Sequence, residues 1–514
     1  MSEPIDVGVV ESLSKAQRAG DWDRVLVILR DEWSALSQDA PQVLIDVIAA
    51  LPQEVMAENS RLRLAIQYLR RSLDRQPQGR AYDDIISDDP EAAPLDRLAS
   101  LTGRIAAARG AGRHRDAVRA TEVAVSTLRS MPVEVIPTFA NALPEFHYHW
   151  GVTFLLVSRF DDALEQFTHS HDWAVSAGNR MVDARAVGAA SLIHALHGRG
   201  RQASEWLAKL PPIPDDAWWA SDAATPARLA DAILHTERLE PDAARVVLSR
   251  IDIRLSLDYW GPYFALRAFL TPDDPGDAQA LLSEFDAFVG GLAPEYANVP
   301  LNAEYTSIVR YLLLQILHQS DRATRALGDA RVDAESSVVR QTGATLHALR
   351  LLKLGRGTDA RAVITPLLHT SSAHPRVLIP ALLIAAETDT VNHRDALLRR
   401  AAALAAWNHC HAPLTLGSAD VRGRLAELVR ERGEGKIADR LLAVVESSAV
   451  AGTDALTRRE NAVVRAALAG RSNIEIAEDH HVSVNTVKTH LRTAYRKLGV
   501  SNRAQLQQLF ELGR

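Results

Sequence analysis

The sequence has little that could cross-link the chain or anchor it in a membrane. Its 514 residues include one cysteine, Cys410, so no disulfide can form within the chain, and a reducing compartment is indicated. The first ten residues carry acids where a signal peptide would carry bases. The longest apolar run, 377–386, is too short to span a bilayer and contains Pro380. We therefore expect a soluble, cytoplasmic protein that makes no membrane contact.

Motifs for phosphate binding and catalysis are also missing. The nearest approach to a phosphate-binding loop is the stretch RGEGK at 432–436. It has Arg430 where the first glycine is required and Ile437 where a hydroxyl is required, so we interpret it as a loop between helices. No Ser-His-Asp or Cys-His arrangement can be argued from spacing. The sequence predicts neither an enzyme nor a bound cofactor.

Three groups of residues could form a further site, and a structural interpretation is favoured for each. The stretch NHCH at 408–411 has metal-binding atoms but no second half, which favours an ordinary loop or helix surface. Four histidines could converge on a metal, although capping or groove lining is the more common use: His147, His149, His169 and His171. Five tryptophans should be mostly core, with one or two lining a binding surface: Trp150, Trp173, Trp206, Trp218 and Trp219.

Charge is unevenly spread along the chain. The whole sequence is acidic, with 64 Asp and Glu against 58 Lys and Arg. Residues 451–514 nevertheless carry ten bases against six acids, a net charge of +4, which leaves −10 for the other residues. This asymmetry predicts that the last segment meets an anionic partner and that the body does not.

A helical repeat is the main pattern of the body. Nine amphipathic segments open with an alanine shortly after a turn, at intervals near 40 residues, which fits two helices and their turns. The anchors are Ala117, Ala163, Ala203, Ala243, Ala278, Ala323, Ala360, Ala396 and Ala438, with a degraded copy near Val25. The small side chain suits a point where two helices cross closely. An irregular helical domain in an alanine-rich sequence is the alternative.

The predicted fold class is therefore all-α, a tetratricopeptide-like helical superhelix followed by a small four-helix domain. The best single unit runs from His147 to Phe167, with Gly151 and Ala163 at offsets resembling the tetratricopeptide repeat. A small, polar stretch marks the expected boundary. The predicted divisions are a helical array at 1–445, a linker at 446–455 and the last domain at 456–514.

The last domain contains a helix with two contrasting faces. Ser483 is a good N-cap residue, and an apolar stripe follows it at helical spacing: Val484, Val487, Leu491, Tyr495 and Leu498. The opposite face is made of hydrogen-bond donors that could reach phosphates or base edges: Asn485, Lys488, Thr489, Arg492 and Arg496. Ser472 and Glu475 form a capping box for a short preceding helix. Two short helices with a tight turn, the second one basic, predict a helix-turn-helix.

These residues carry a resemblance to a known family. The segments LTRRE and GRSNIEIAEDHHVSVNTVKTHLRTAYRKLGVSNRAQL resemble the LuxR-type DNA-binding domain of bacterial transcription regulators. The resemblance implies base contacts by Lys488, Thr489 and Arg492. It implies backbone contacts or orientation of the reader helix by Thr457, Asn473, Thr486, His490 and Lys497. Ala494 and His480 stand where the family has larger apolar residues, so we expect a looser core.

The resemblance also implies partners. They are double-stranded promoter DNA, RNA polymerase as a candidate, and a second copy on DNA through Leu506, Leu509 and Phe510 of the last helix. The protein would then be nucleoid-associated when bound. The segment KAQRAGDWDRVLVILRDEWSAL is similar to the helical arms of large ATP-binding regulators related to the maltose activator, here without their ATPase module. We expect a transcription regulator whose array senses a protein or small molecule; the alternative is a scaffold that uses its helix-turn-helix for protein contact.

Overall fold

Every regular element that the structure describes is a helix. The computed structural model describes residues 7–59, 61–73, 93–328, 336–369, 374–389, 393–451, 458–479, 482–498, 500 and 502–511. No strand occurs within these ranges. The all-α prediction is confirmed, while the assignment of the body to a tetratricopeptide-like superhelix stays a prediction.

The helices follow one another with short connections. The first group is α1 Val7–Ala19, α2 Trp22–Asp31, α3 Trp33–Asp39, α4 Pro41–Ala49, α5 Gln53–Glu58 and α6 Arg61–Leu73. The second is α7 Pro94–Gly110, α8 His114–Arg129, α9 Leu143–Leu156, α10 Phe160–Ser176, α11 Arg180–Leu196, α12 Gly200–Leu207, α13 Ala220–Glu237, α14 Pro241–Leu248, α15 Trp260–Leu270, α16 Pro275–Gly290, α17 Pro294–Ala297, α18 Pro300–Ile316 and α19 Ser320–Leu327. The third is α20 Val338–Lys353, α21 Gly357–His369, α22 Pro375–Glu387, α23 Arg394–Asn408, α24 Ala419–Glu431, α25 Gly435–Ala451, α26 Arg458–Leu468, α27 Asn473–Asp479, α28 Val484–Leu498 and α29 Arg503–Glu511. Short 3₁₀ helices cover Ile136–Ala142, Ile253–Leu255, Leu257–Tyr259 and Ala412–Leu416.

One turn geometry recurs between helices. In nine places along the described chain, a helix is closed by a residue with positive φ, the conformation that ends a helix C-terminus, and the next helix begins two residues later. They are Gly20, Gly112, Ser158, Gly178, Gly198, Leu239, His318, Gly355 and Gly433. The amide of the next residue donates back to a carbonyl five positions earlier, as from Arg113 to Ala108 at 2.8 Å. The following helix starts at the residue directly after this donor, so each turn fixes where the next helix begins.

The residue five positions after each of these turns is buried. After Gly178 it is Asp183, which is 6% exposed; after the other eight turns it is Val25, Ala117, Ala163, Ala203, Ala244, Ala323, Ala360 and Ala438, in chain order, each 0% exposed. Seven of the nine predicted anchors are buried as expected, counting Ala278, which follows a different turn. Two predictions are wrong by position: Ala243 is half-buried beside the buried Ala244, and Ala396 is exposed two residues before the buried Leu398. Sequence similarity could not resolve these shifts of one and two residues because the neighbouring residues also suit a helix.

The chain divides into two compact units. The first comprises residues 1–347, 366–378 and 407–410, and the second comprises 348–365, 379–406 and 411–514. The predicted division at 446–455 is not tested by this partition and stays a prediction. Helix α25 extends to Ala451, so the expected linker starts within a helix.

The crossing of α9 and α10 in the first unit shows why small residues are needed. Ala163 of α10 is fully buried, and so are Trp150 and Phe167. A Cβ added at Gly151 would lie 2.6 Å from the Phe167 ring, closer than side-chain atoms pack. The indole of Trp150 donates to Thr102 Oγ1 at 3.1 Å, which ties this pair to α7. The predicted best unit is therefore a closely packed helical pair.

A glycine pair in the first unit tests the role of the turns. Gly20 and Gly198 both have positive φ, but a Cβ at Gly20 would meet no atom within 4 Å, whereas a Cβ at Gly198 would lie 2.7 Å from the Arg376 amide nitrogen. We expect Gly20→Ala to cost about 1–2 kcal/mol for the left-handed conformation alone. Gly198→Ala should cost about 2–4 kcal/mol because the clash is added. Urea unfolding followed by tryptophan fluorescence measures this, since all nine tryptophans lie in the first unit. Equal losses would show that the close approach is unimportant.

A buried histidine gives the first unit a pH dependence. Burial lowers the pKa of His147 to about 4, although Gln166 Oε1, 2.9 Å away, favours the charged form. The unfolded chain binds a proton near pH 6.5 and the folded chain does not, so stability falls as pH drops from 6.5 towards 4. His147 alone should remove about 2 kcal/mol by pH 5. His147→Gln should flatten the loss of unfolding free energy between pH 7 and 5, whereas substitution of the exposed His393 should not. An unchanged slope in His147→Gln contradicts this.

Candidate nucleic-acid interface

The last helices of the second unit start and stop at residues that the sequence marks. Helix α26 ends before Gly470, which has φ +87°, and the Arg471 amide donates to the Ala466 carbonyl at 3.2 Å. Gly470 thus closes this helix. Thr457, which the resemblance assigns to backbone contact or orientation, lies outside the described residues.

Helix α27 begins with a reciprocal cap. The Ser472 amide donates to Glu475 Oε2 at 2.6 Å, and the Glu475 amide donates to Ser472 Oγ at 3.3 Å, which confirms the predicted capping box. Hydrogen bonds to the Glu475 carboxylate from the Ser472 amide and the Ser472 side chain lower the pKa of Glu475, since both favour its ionised form. Arg471 pairs with Asp479 at the other end of the same short helix. The helix is thus held at both ends by its own residues.

Helix α28 is capped by Ser483, as predicted. Ser483 Oγ accepts from the Thr486 amide at 3.0 Å and lies 2.8 Å from the Thr486 hydroxyl. Before it, the Val482 amide donates to the Ala477 carbonyl, which closes the end of α27. These bonds start α28 in a defined direction after the turn that includes Ser483.

One apolar core holds α26, α27, α28 and α29 together. Its buried members are Val463, Val464, Ala467, Ile476, Ala477, Val487, Leu491, Ala494 and Leu506. Val484 and Tyr495 of the predicted stripe are partly buried against it, and the side chain of Leu498 is not described. Ala494 is completely buried, so the position that resembles larger residues in the family is a core position here. The apolar face of α28 is therefore fixed inward.

The opposite face of α28 presents donors to solvent. Asn485, Lys488, Thr489 and Arg492 are all exposed and lie at i, i+3, i+4 and i+7, which is one face of a helix. Neither Lys488 nor Arg492 forms an ion pair with any residue that the structure describes. Only the Thr489 hydroxyl is engaged, donating to the Asn485 carbonyl at 2.9 Å. The four side chains thus lie together on one exposed face, where they can contact a ligand surface.

The other predicted site residues are placed less uniformly. Asn473 and His490 are half-buried, at the start of α27 and in the middle of α28. Thr486 is half-buried and occupied by the cap, which suits an orienting role better than a direct one. Arg496 and Lys497 lie in α28, but their side chains are not described.

The last helix differs from the prediction in one respect. Leu506 was expected in a contact between two copies, but it is 0% exposed within the core of its own domain, so that assignment is wrong. The side chains of Leu509 and Phe510 are not described.

Sequence reasoning missed Asn502, whose Oδ1 caps α29 by accepting from the Gln505 amide at 2.9 Å. The signal was available, because Asn is a preferred residue directly before a helix. It also missed Arg503, which donates to the Ala467 carbonyl.

A short helix that packs on the core through Ile476 and Ala477, followed after a tight turn by a helix with an exposed donor face, defines a helix-turn-helix DNA-binding domain. Residues 454–510 match the family described as bacterial regulatory proteins, luxR family. The chain therefore carries a LuxR-family helix-turn-helix domain, and such a domain implies a DNA-binding transcriptional regulator.

Similarity to individual proteins is confined to short stretches. The transcriptional regulators named MalT from Yersinia pestis (strain Pestoides F) and Yersinia pseudotuberculosis serotype O:1b (strain IP 31758) are each 39% identical over 70 residues. That is 14% of this chain and 8% of each relative. SgaR of Hyphomicrobium methylovorum, described as a probable transcriptional regulatory protein, is 49% identical over 51 residues, or 10% of this chain and 24% of its own length. The chain thus spans a small fraction of these relatives, and the expected likeness of the body to regulator arms stays a prediction.

The weaker candidate sites look different in the structure. The stretch 408–411 was interpreted as surface, but Cys410 is fully buried and burial raises the pKa of its thiol. His411 is also buried and lies 2.9 Å from Glu434 Oε2. His147 and His169 approach each other, with ring centroids 5.1 Å apart, but no cluster of metal ligands occurs among the described residues.

Two further predictions concern the body of the chain. Residues 432–434 join α24 to α25, as the interpretation of 432–436 as an inter-helix loop expects, while Gly435 and Lys436 already belong to α25. Among the described helices, none is both long and apolar enough to cross a membrane.

Proposed function

We propose that this protein binds specific promoter DNA through α28 and that its helical body responds to a protein or small-molecule signal. The exposed donor face of α28, which lies opposite the apolar core, supports the proposed DNA binding. Lys488 and Arg492 would donate to acceptors on base edges in the major groove, since guanine presents two acceptors there. Asn485 and Thr489 lie beside them and complete the surface that enters the groove.

Flanking residues would set the register of the helix on DNA. Asn473 at the start of α27 and Thr486 at the start of α28 lie near helix N-termini, where amide groups favour phosphates. The resemblance assigns Lys497, Thr457 and His490 to the same task. Any contact between two copies on DNA would use Leu509 and Phe510 of α29, since Leu506 is committed to the core. RNA polymerase is the proposed partner of the bound protein.

Sequence preference tests the assignment of the reader helix. Lys488→Ala should relax preference at one base position and cost roughly 1–3 kcal/mol on the preferred site. Selection from random DNA with the full chain measures the preference. Lys436→Ala removes an exposed lysine of α25 as the matched control and should leave the preference unchanged. A Lys488→Ala preference identical to that of the wild type would refute the role of Lys488.

Salt dependence separates DNA binding from the scaffold alternative. Binding to the selected site should weaken steeply with salt, because contacts with phosphates release counterions. Lys497→Ala should weaken all sequences alike and reduce the slope of log affinity against log salt by about one. Fluorescence anisotropy at several salt concentrations measures both. Salt-independent binding would favour the scaffold alternative, and a sequence-dependent loss would remove Lys497 from the backbone contacts.

A further inference from the structure

A pocket in the first unit lies among α2, α3, α6, α7, α9 and the 3₁₀ helix Ile136–Ala142. Its volume is about 180 Å³. An apolar cavity of about 150 Å³ can hold benzene, so this pocket can hold a ring or branched chain of slightly larger size. The size excludes a peptide helix or a folded partner as the occupant.

The walls of the pocket are mostly apolar. Side chains from five α-helices and the 3₁₀ segment contribute aromatic and aliphatic surface, a composition typical of small-molecule sites. The main wall residues are Trp33, Leu64, Ala99, Phe139 and Phe146. Such walls favour a compact apolar body, and the aromatic rings can also face a cation.

One carboxyl group interrupts this apolar lining. Glu145 Oε1 accepts from Asn179 Nδ2 at 2.9 Å. Glu145 Oε2 is buried and accepts no hydrogen bond of normal geometry from the described residues, although the Trp33 side chain lies near the carboxyl. Burial raises the pKa of Glu145 to about 7, even though hydrogen bonding from its own backbone amide, Asn179 and Trp33 and the charge of Arg185 favour its ionised form. A buried oxygen without a donor costs free energy, and a ligand that supplies the donor recovers it.

The two arginines that line the pocket pair with other acids and not with Glu145. Arg61 pairs with Asp96 at 2.9 Å, and Arg30 pairs with Asp31 at 2.8 Å. Burial and nearby arginines lower the pKa of His149 to about 3, so its ring is neutral and does not repel a cation. A carboxylate ligand would face Glu145 directly, which disfavours it. Charge complementarity therefore points to a cation.

We infer that this pocket binds a small primary amine, in which a ring or branched chain of about benzene size fills the apolar part and the ammonium group donates to Glu145. The inference rests on the proposed role of the helical body as the part that responds to a signal, and it names the chemical class of that signal. An ammonium suits the site because it has three donors and no acceptor.

Calorimetric titration of the full chain at pH 8 tests the inference. The probes are benzylamine and phenethylamine, each compared with the alcohol of the same shape, benzyl alcohol and 2-phenylethanol. We expect at least one amine to bind at least tenfold more tightly than its alcohol. Glu145→Gln keeps an acceptor for Asn179 and should remove that preference. Glu205→Gln, an exposed acid of α12, is the matched control and should change nothing.

A second variant keeps the test independent of the carboxyl. Ala99→Phe places a ring in the pocket and should abolish binding of both probe types; if it fails to fold, the Glu145→Gln comparison decides. Equal affinities for amines and alcohols, or a preference that survives Glu145→Gln, would overturn the inference. Its failure is distinguishable from failure of the proposed function, because DNA binding is measured separately. Amine binding without any effect on DNA affinity would support the pocket and count against the signal-responsive body.

Discussion

Close approach of neighbouring helices at one small residue is the constraint on which the helical body depends. The left-handed turn fixes the start of the next helix, and five residues after the turn a side chain must fit where two helices cross. Alanine fills that position at Ala163 and Ala203, while Gly151 makes room for the Phe167 ring from the partner helix. The turns tolerate Ser158 and His318 with positive φ because the backbone hydrogen bond to the preceding helix is kept.

The DNA-binding domain is organised differently from the helical body, because it is small and its helices share one core. Each of its described caps, at Ser472, Ser483 and Asn502, is a side chain close to the helix it starts. Local capping of this kind fixes helix starts without long-range contacts. With Val487 and Leu491 held inward, the outward direction of Lys488 and Arg492 is determined by the 3.6-residue period alone. The interface is thus a consequence of the core.

Sequence reasoning succeeded where the determining interactions are local. The capping box at Ser472, the cap at Ser483 and the two faces of α28 each depend on residues within a few positions, so a pattern could identify them. It failed at Ala396, whose environment depends on the crossing geometry of two helices, and at Leu506, where an apolar residue fits a core or a dimer contact equally well. Glu145 could not be found at all, because an isolated acid in a helix gives no sign that it will line an apolar pocket.

Both candidate sites consist of polar groups that the packing leaves without a partner. In the first unit the buried acid Glu237 pairs with Arg376, and Asp183 lies 2.6 Å from His171 Nδ1, whereas Glu145 keeps one buried oxygen with no donor. In the DNA-binding domain Arg471 and Arg503 are used by the fold, whereas Lys488 and Arg492 form no ion pair among the described residues. Polar groups that are already paired within the fold are not available to a ligand, whereas a carboxyl group at an apolar pocket and exposed bases on one helix face are. An acid buried in an apolar wall selects a small cation, and exposed bases on a rigid helix select an anionic surface.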